Sequence, residues 1–323
     1  MQCIADYVEK IRNEIAILQA QHDKYFDTKL LFAYRGESRD YGATQLMPSL
    51  FRDSKQVHKE HHLFELLCDY NIVSSEASNV EKAIEAQHYA AISRMLDISF
   101  NALVALYFAC SDIERSGYLF VFAFPEHYSP HSKYVEDFYT NMLSKKHIPY
   151  SRNFKVFSHS FSNDRIKAQK GGFIFFPGTD FIPINNCYYR KISIQEQDKA
   201  ILLKDLEMLF LINEASIFPE KEKIAKVVKS KFELHDYSDK VVSIDDEINT
   251  YFGRINYELK LCNAYMATSH KKETLRLLRK ERADLRNYVR FLSINNLSDE
   301  KRIELLKRID RGFQILEIRY KEG

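Results

Sequence analysis

An imidazole, a guanidinium and a carboxylate fall close together in Gln87-His88-Tyr89-Ala90-Ala91-Ile92-Ser93-Arg94-Met95-Leu96-Asp97, directly ahead of the apolar run Asn101 to Ala109. Polar groups anchored beside a buried helix are the makings of a binding site. His88 can hydrogen-bond a sugar hydroxyl or move a proton near neutral pH, and Tyr89 can stack on a flat ring. A helix cap or a satisfied core residue is the alternative for His88. Arg94 and Asp97, three residues apart, can pair with each other and hold a turn that presents the neighbouring groups. Farther up the chain, Tyr34-Arg35-Gly36-Glu37 offers a second guanidinium. At a strand end, such a group can grip a diphosphate or carboxylate through two parallel hydrogen bonds, and a salt bridge to Glu37 or Asp97 is its alternative. Gln169 precedes an apolar run; its amide cannot act as a general base but can orient a hydroxyl.

These groups need elements to position them. Ile4, Val8, Ile11, Ile15 and Leu18 recur at helical spacing and predict an amphipathic helix over residues 1–24. Lys29 to Tyr34 reads as a strand that delivers Arg35, with Gly36 permitting a turn. Residues 54–70 and 79–92 read as helices, the second ending near His88 and Tyr89. Tyr118 to Phe124 and Gly172 to Phe176 are continuous apolar runs of strand length, and Phe181 to Ile184 suggests a third. Continuous rather than alternating runs predict a sheet covered on both faces, as in an α/β or α+β domain, over residues 25–236. From about residue 237 to 323 the chain turns charged and helical. Ile248, Phe252, Ile255, Leu259, Cys262 and Met266 make one seam, and Ile303, Leu306, Ile309, Phe313 and Leu316 another, predicting a helical hairpin or three-helix bundle. Its middle segment, Lys271 to Arg290, is locally basic. It suits nucleic-acid phosphates or is simply a solvated helix face.

Composition narrows the classes further. A net charge of +2 makes no global case for nucleic acid, so an electrostatic partner must be sought in local patches. Five cysteines, far apart and without CxxC spacing, point to reduced thiols and a cytoplasmic protein rather than a disulfide frame or zinc site. The N-terminus lacks a signal-like apolar run, and no segment reaches the ~20 apolar residues of a membrane span. There is no GxGxxG, no GxxxxGK[ST] and no HExxH. His58 and His62, four apart, could share a metal, but no further ligand is evident, so no metal is expected.

The arrangement of these segments resembles the FRG domain family. The Gln-His-Tyr entry at 87–89, Ser93-Arg94-Met95-Leu96-Asp97 and the helix Ala102 to Ala109 resemble its central signature, and Tyr34-Arg35-Gly36 with Pro48-Ser49-Leu50-Phe51-Arg52 its name-giving motif. Arg165-Ile166-Lys167-Ala168-Gln169-Lys170-Gly171-Gly172-Phe173 and Ile217-Phe218-Pro219 resemble its late elements. The likeness spans roughly residues 25 to 230, with Ala90, Ile92 and Ile98 departing from the usual glycine, proline and tryptophan. It implies an α+β, ADP-ribosyltransferase-like fold with a central mixed sheet covered by helices, and an NAD-consuming transferase of the toxin, toxin–antitoxin or antiviral-defence kind, with NAD as co-substrate. Arg35, His88 and Gln169 are the catalytic candidates. Tyr34, Arg35, Gly36, His88, Tyr89, Arg94 and Asp97 are the candidates for binding NAD. The acceptor implied is RNA or DNA, and the C-terminal helices would meet an antitoxin or another protein; no membrane partner is expected. A module that binds a nucleotide or nucleic acid without turnover is the alternative, in keeping with glutamine at 169 where a transferase would carry glutamate. Either reading requires Arg35, His88 and Gln169 to converge on one hollow.

Overall fold

The computed structural model describes residues 2–24, 27, 29–144, 154–157, 164–220, 229, 244–265, 271–291 and 298–322. The chain divides into two compact units, Met1–His235 and Asp236–Gly323.

The first unit is built on a six-stranded sheet. Its strands are β1 Leu30–Glu37, β2 Met95–Ser99, β3 Gly117–Pro125, β4 Lys155–Phe157, β5 Gly171–Phe175 and β6 Tyr189–Ile194, in the order β4-β5-β2-β1-β3-β6. Every neighbouring pair is antiparallel, so the expected mixed sheet is corrected to an antiparallel one within an α+β unit. Burial on both faces, usual for parallel sheets, is met here by helices on one face and mostly irregular chain on the other. On the irregular side, Ala33, Leu96, Ile98, Phe120, Phe122, Phe124 and Ile174 meet Leu46, Leu50, Phe51, Val57, Phe176 and Ile184. The expected strand at Phe181 to Ile184 is absent. This segment is irregular, carries Pro183 without a ladder donor, and packs Phe181 and Ile184 onto the sheet.

On the opposite face the core is split in two. Beside β1, β3 and β6 lie α1 Ile4–Asp23, α5 Ala102–Cys110 and α8 Glu196–Phe210, which enclose Tyr34, Leu119, Val121, Ile192 and Ile194. Helix α1 buries Ile4, Tyr7, Ile11 and Leu18 there, and the Tyr7 hydroxyl donates to Asp198 of α8 at 2.9 Å. Beside β2, β4 and β5 lie α3 Glu60–Asp69, which follows the single-turn α2 Ser54–Val57, and α4 Asn79–Glu85, α6 Ser132–Leu143 and α7 Asp164–Ala168. They enclose Met95, Phe157, Phe173 and Phe175. The short α9 Glu214–Ile217 follows α8. Between the two cores the sheet itself is thinly joined. The register of β1 with β2 is the pair Tyr34 and Ser99, whereas β1 and β3 run together from Leu30 opposite Pro125 to Glu37 opposite Tyr118.

Gly36 lies inside β1 rather than in a turn, which corrects the sequence reading of that residue. A Cβ there would stand 1.9 Å from the Ala105 carbonyl oxygen and 2.4 Å from the Ala109 nitrogen. The glycine is needed because the backbone of α5 runs directly over the strand.

Among the described residues, the second unit comprises α10 Ile244–Tyr265, α11 Lys271–Phe291 and α12 Asp299–Glu322 around one apolar core. Ile248, Ile255 and Leu259 of the predicted seam are in it, while the side chains of Cys262 and Met266 lie outside the described residues. On α12 the buried row is Leu305, Ile309, Phe313, Leu316 and Tyr320; Ile303, expected in that row, is exposed. On basic α11, Arg282 and Arg286 both pair with Asp310, whereas Arg276, Arg279, Lys280 and Arg290 are exposed. Among the described residues no helix is long and apolar enough to cross a membrane.

Candidate functional site

A cleft of about 210 Å3 opens at the seam between the two helical cores. Tyr34, Arg35, Gly36, Gln87, His88 and Asp97 line it, as do Ala105, Phe108, Arg165 and Gln169. Arg35, His88 and Gln169, taken from three distant parts of the chain, therefore do meet.

Arg35 is fixed at two points. Its Nε donates to Glu37 Oε1 at 3.3 Å and its Nη1 to the Asp97 carbonyl oxygen at 2.7 Å, across the thin β1–β2 join. Glu37 is itself buried and also accepts the Leu46 amide at 3.2 Å. The salt bridge that competed with a functional role in the sequence thus exists, and it orients a guanidinium that still faces the cleft.

His88 is delivered by a distortion at the end of α4. The helix starts from a capping box between Ser78 and Glu81, then widens at Ala86–Ala90 into a π-turn that closes on Ala91 in the left-handed conformation, φ 54°. The widened turn sets Gln87 and His88 on the cleft. Burial, and then the nearby Arg165, hold the His88 imidazole below its ordinary pKa, against the opposing pull of Asp97, Glu85 and Glu220. Tyr89, the next residue, is 70% exposed and does not line the cleft, so the stacking role expected of it is not supported by its position.

Gln87, within the Gln-His-Tyr motif, is a cleft residue that its type and position in the sequence did not single out. Its Nε2 donates to Asp97 Oδ2 at 2.7 Å, which leaves the amide oxygen buried and without a partner among the described residues. Asp97 is consequently no partner of Arg94. Asp97, and neither Glu37 nor Glu85, is the carboxylate that lines the cleft.

Gln169 opens the turn that joins α7 to β5. Its main-chain oxygen accepts the Ser99 hydroxyl at 2.7 Å, and its Nε2 donates to the Ile217 carbonyl at 3.3 Å. Arg165, four residues earlier on α7, lines the same cleft, lies 4.9 Å from the Phe218 ring centre and pairs with Glu220 at 3.6 Å. The i,i+4 spacing of Arg165 and Gln169 was the signal that could have found it.

Arg94 is elsewhere. It stands at the bend just before strand β2, is 2% exposed, and is not among the residues lining the cleft. Its Nε and Nη2 engage both oxygens of Glu60 at 2.5–2.9 Å, and its Nη1 donates to the Phe176 and Gly178 carbonyls. The Tyr139 hydroxyl completes the set on Glu60 at 2.5 Å; burial and then that carboxylate hold its pKa well above the ordinary value. So many satisfied bonds make Arg94 a scaffold residue that pins β2 to α3.

His58 falls in the turn between α2 and α3, and His61 and His62 are exposed beside Glu65. Among the described residues no three His, Cys, Asp or Glu side chains are grouped to hold a metal.

No curated protein and no solved structure matches the chain. The family model of the FRG domain matches residues 31–117, from β1 to the start of β3. That span includes Arg35, Gln87, His88, Asp97 and Phe108 of the cleft, and the fold adds Arg165 and Gln169 from outside it. The chain therefore carries an FRG domain at residues 31–117.

Proposed function

We propose that the cleft binds the nicotinamide riboside end of NAD and that the protein is an ADP-ribosyltransferase of the toxin or antiviral-defence kind, acting in the cytoplasm on a nucleic-acid acceptor. The observation that carries this reading is the meeting of Arg35, His88, Asp97 and Gln169 in one cleft. At about 210 Å3 the cleft is smaller than the ~300 Å3 at which enclosed ligand pockets usually begin, so it suits one end of a dinucleotide.

The reaction breaks the bond between the ribose C1′ and the pyridinium nitrogen. The electron pair leaves with nicotinamide, which becomes neutral, and an oxocarbenium-like ribosyl cation remains. An acceptor nucleophile then bonds to C1′ and gives up its proton to solvent water. The leaving group begins cationic and needs no general acid, so positioning and electrostatics supply most of the acceleration. Asp97, the carboxylate on the cleft, would stabilise the developing cation. Arg35 and Arg165 would hold the phosphates, and His88, uncharged at neutral pH, would accept a hydrogen bond from a ribose hydroxyl. Gln169 would orient a second hydroxyl.

The alternative is a module that binds a nucleotide without turnover. Asp97 already accepts from Gln87 and Gln169 is an amide, so no carboxylate in the cleft is free of other duties. The exposed Leu277, Tyr288, Ile303, Ile315 and Ile318 of the C-terminal unit would suit a protein partner such as an antitoxin.

Incubation with NAD and measurement of free nicotinamide tests the proposal. Release by the native chain that Arg35→Ala abolishes supports the transferase. NAD binding without release, with nucleic acid offered as acceptor, favours the binding module.

A further inference from the structure

We propose that a second hollow, next to the cleft, is the acceptor subsite, and that it takes a guanine base of single-stranded nucleic acid, whose paired N–H donors are read by Glu207 and Glu214. The proposal rests on the transferase reading and adds to it the base that is recognised and the residues that recognise it.

The hollow is open, measures about 500 Å3 and so falls within the size range of small-molecule sites. Phe108 lines both it and the cleft, so the two share a wall. Phe218, also on the hollow, lies 4.9 Å from the guanidinium of the cleft residue Arg165. A group bound in the hollow is therefore next to whatever occupies the cleft, as donor and acceptor subsites must be.

Its walls suit a flat group. Tyr107, Phe108 and Phe218 supply rings, with Phe108 edge-to-face against Phe218 at 6.0 Å and against Tyr107 at 5.8 Å. Leu203 and Ile212 add aliphatic surface. Stacking on such rings is the sequence-tolerant part of holding an unpaired base, so selection falls to the polar groups. Among the described residues, the charged ones on the hollow are Glu207 and Glu214, the first exposed and the second half-buried. Asn213 steadies Glu207 by donating from Nδ2 to Oε1 at 3.3 Å. Burial, and then Glu214 and Glu207, raise the pKa of the Tyr107 hydroxyl, which stays protonated beside them.

An ionised carboxylate only accepts, and two N–H donors side by side suit its two oxygens best. Guanine alone among the ordinary bases presents such a pair, N1–H and the N2 amino group. Adenine and cytosine offer one amino group beside a ring acceptor, and thymine or uracil one N–H between two carbonyls. Each of these sets an acceptor against the carboxylate. The two charges also repel phosphates, so the base enters while the backbone stays outside. An arginine side chain carries a similar fork, but exposed ion pairs are worth little and the purine offers the rings more flat surface.

The test uses the full chain and fluorescent oligothymidines carrying one central guanine, inosine, adenine or cytosine; inosine lacks the N2 amino group. Affinity is read by fluorescence anisotropy without NAD, and addition of ADP-ribose by mass spectrometry with NAD. The native protein should bind the guanine oligomer about tenfold tighter than the others, and that oligomer should be the one that gains ADP-ribose. Glu207→Gln combined with Glu214→Gln should bind all four alike, with folding checked by thermal melting. Equal affinities in the native protein overturn the proposal, and so does a guanine preference that survives the double variant. Binding of agmatine that the double variant loses, with no oligomer bound, also overturns it, since the hollow would then take a basic side chain. Guanine-selective binding that the double variant loses, in a protein that neither binds nor cleaves NAD, upholds the base site and sinks the transferase reading. NAD binding without any base preference upholds the cleft and sinks this proposal alone.

Discussion

Asp97 serves two cleft side chains at once: its carbonyl oxygen accepts Arg35 Nη1 at 2.7 Å and its carboxylate accepts Gln87 Nε2 at 2.7 Å. One residue of β2 thus joins β1 to the π-turn after α4, across the place where the two strands share little of their ladder. The orientation of the guanidinium and of the amide are linked through it.

Arg35→Lys should weaken NAD binding by about tenfold to a hundredfold with little change in melting temperature. A lysine ammonium cannot reach Glu37, the Asp97 carbonyl and a ligand anion in one plane, and charge-assisted bonds of this kind are worth ~1.5–3 kcal/mol. Calorimetric titration of the variant checks it, and unchanged affinity would show that the guanidinium geometry is not used.

Gly36→Ala should destabilise the first unit by about 3 kcal/mol or more, beyond the usual cost of overpacking, because the new methyl must displace helix backbone rather than a side chain. Chemical denaturation reads the effect. A loss below about 1 kcal/mol would mean that α5 can lift off β1 easily.

Arg94→Met should cost roughly 3–5 kcal/mol by leaving Glu60 buried and unpaired, whereas Arg94→Met with Glu60→Leu should recover much of that loss. A double-mutant cycle in denaturant measures it. NAD affinity per folded molecule should stay unchanged in the double variant, since neither side chain lines the cleft.

The pH response of His88 has a definite sign. Its pKa in the folded chain lies below the unfolded value of 6.5, so under acidic conditions the unfolded chain binds the proton first. Stability should therefore be unaffected above pH 6.5 and should fall as pH drops below it, levelling off under the folded pKa. His88→Gln should flatten that segment of the stability–pH curve. A native curve that rises on acidification through this window would contradict the depressed pKa.

The sequence was informative where short-range chemistry decides. Arg35, His88 and Gln169 were readable as site candidates from residue type and motif, and the apolar runs at 118–124 and 172–176 as strands. It was silent where long-range pairing decides. Arg94 and Asp97 sit three residues apart, a spacing that suits a local pair, but Arg94 stands at the bend before β2 and Asp97 inside the strand, and their partners are Glu60 and Gln87. Tyr89 beside His88 looked equivalent to it until the π-turn separated them. Arg165 and Gln87 lay inside recognised motifs, yet their place on the cleft depends on the helices that carry them.

The most direct test of the central claim, that Arg35, His88 and Gln169 form one NAD site, is calorimetric titration of NAD into the native chain and into Arg35→Ala, His88→Ala and Gln169→Ala. The account predicts saturable binding by the native protein and a weaker affinity in each variant with the fold intact. Binding of equal strength by all four proteins would contradict it.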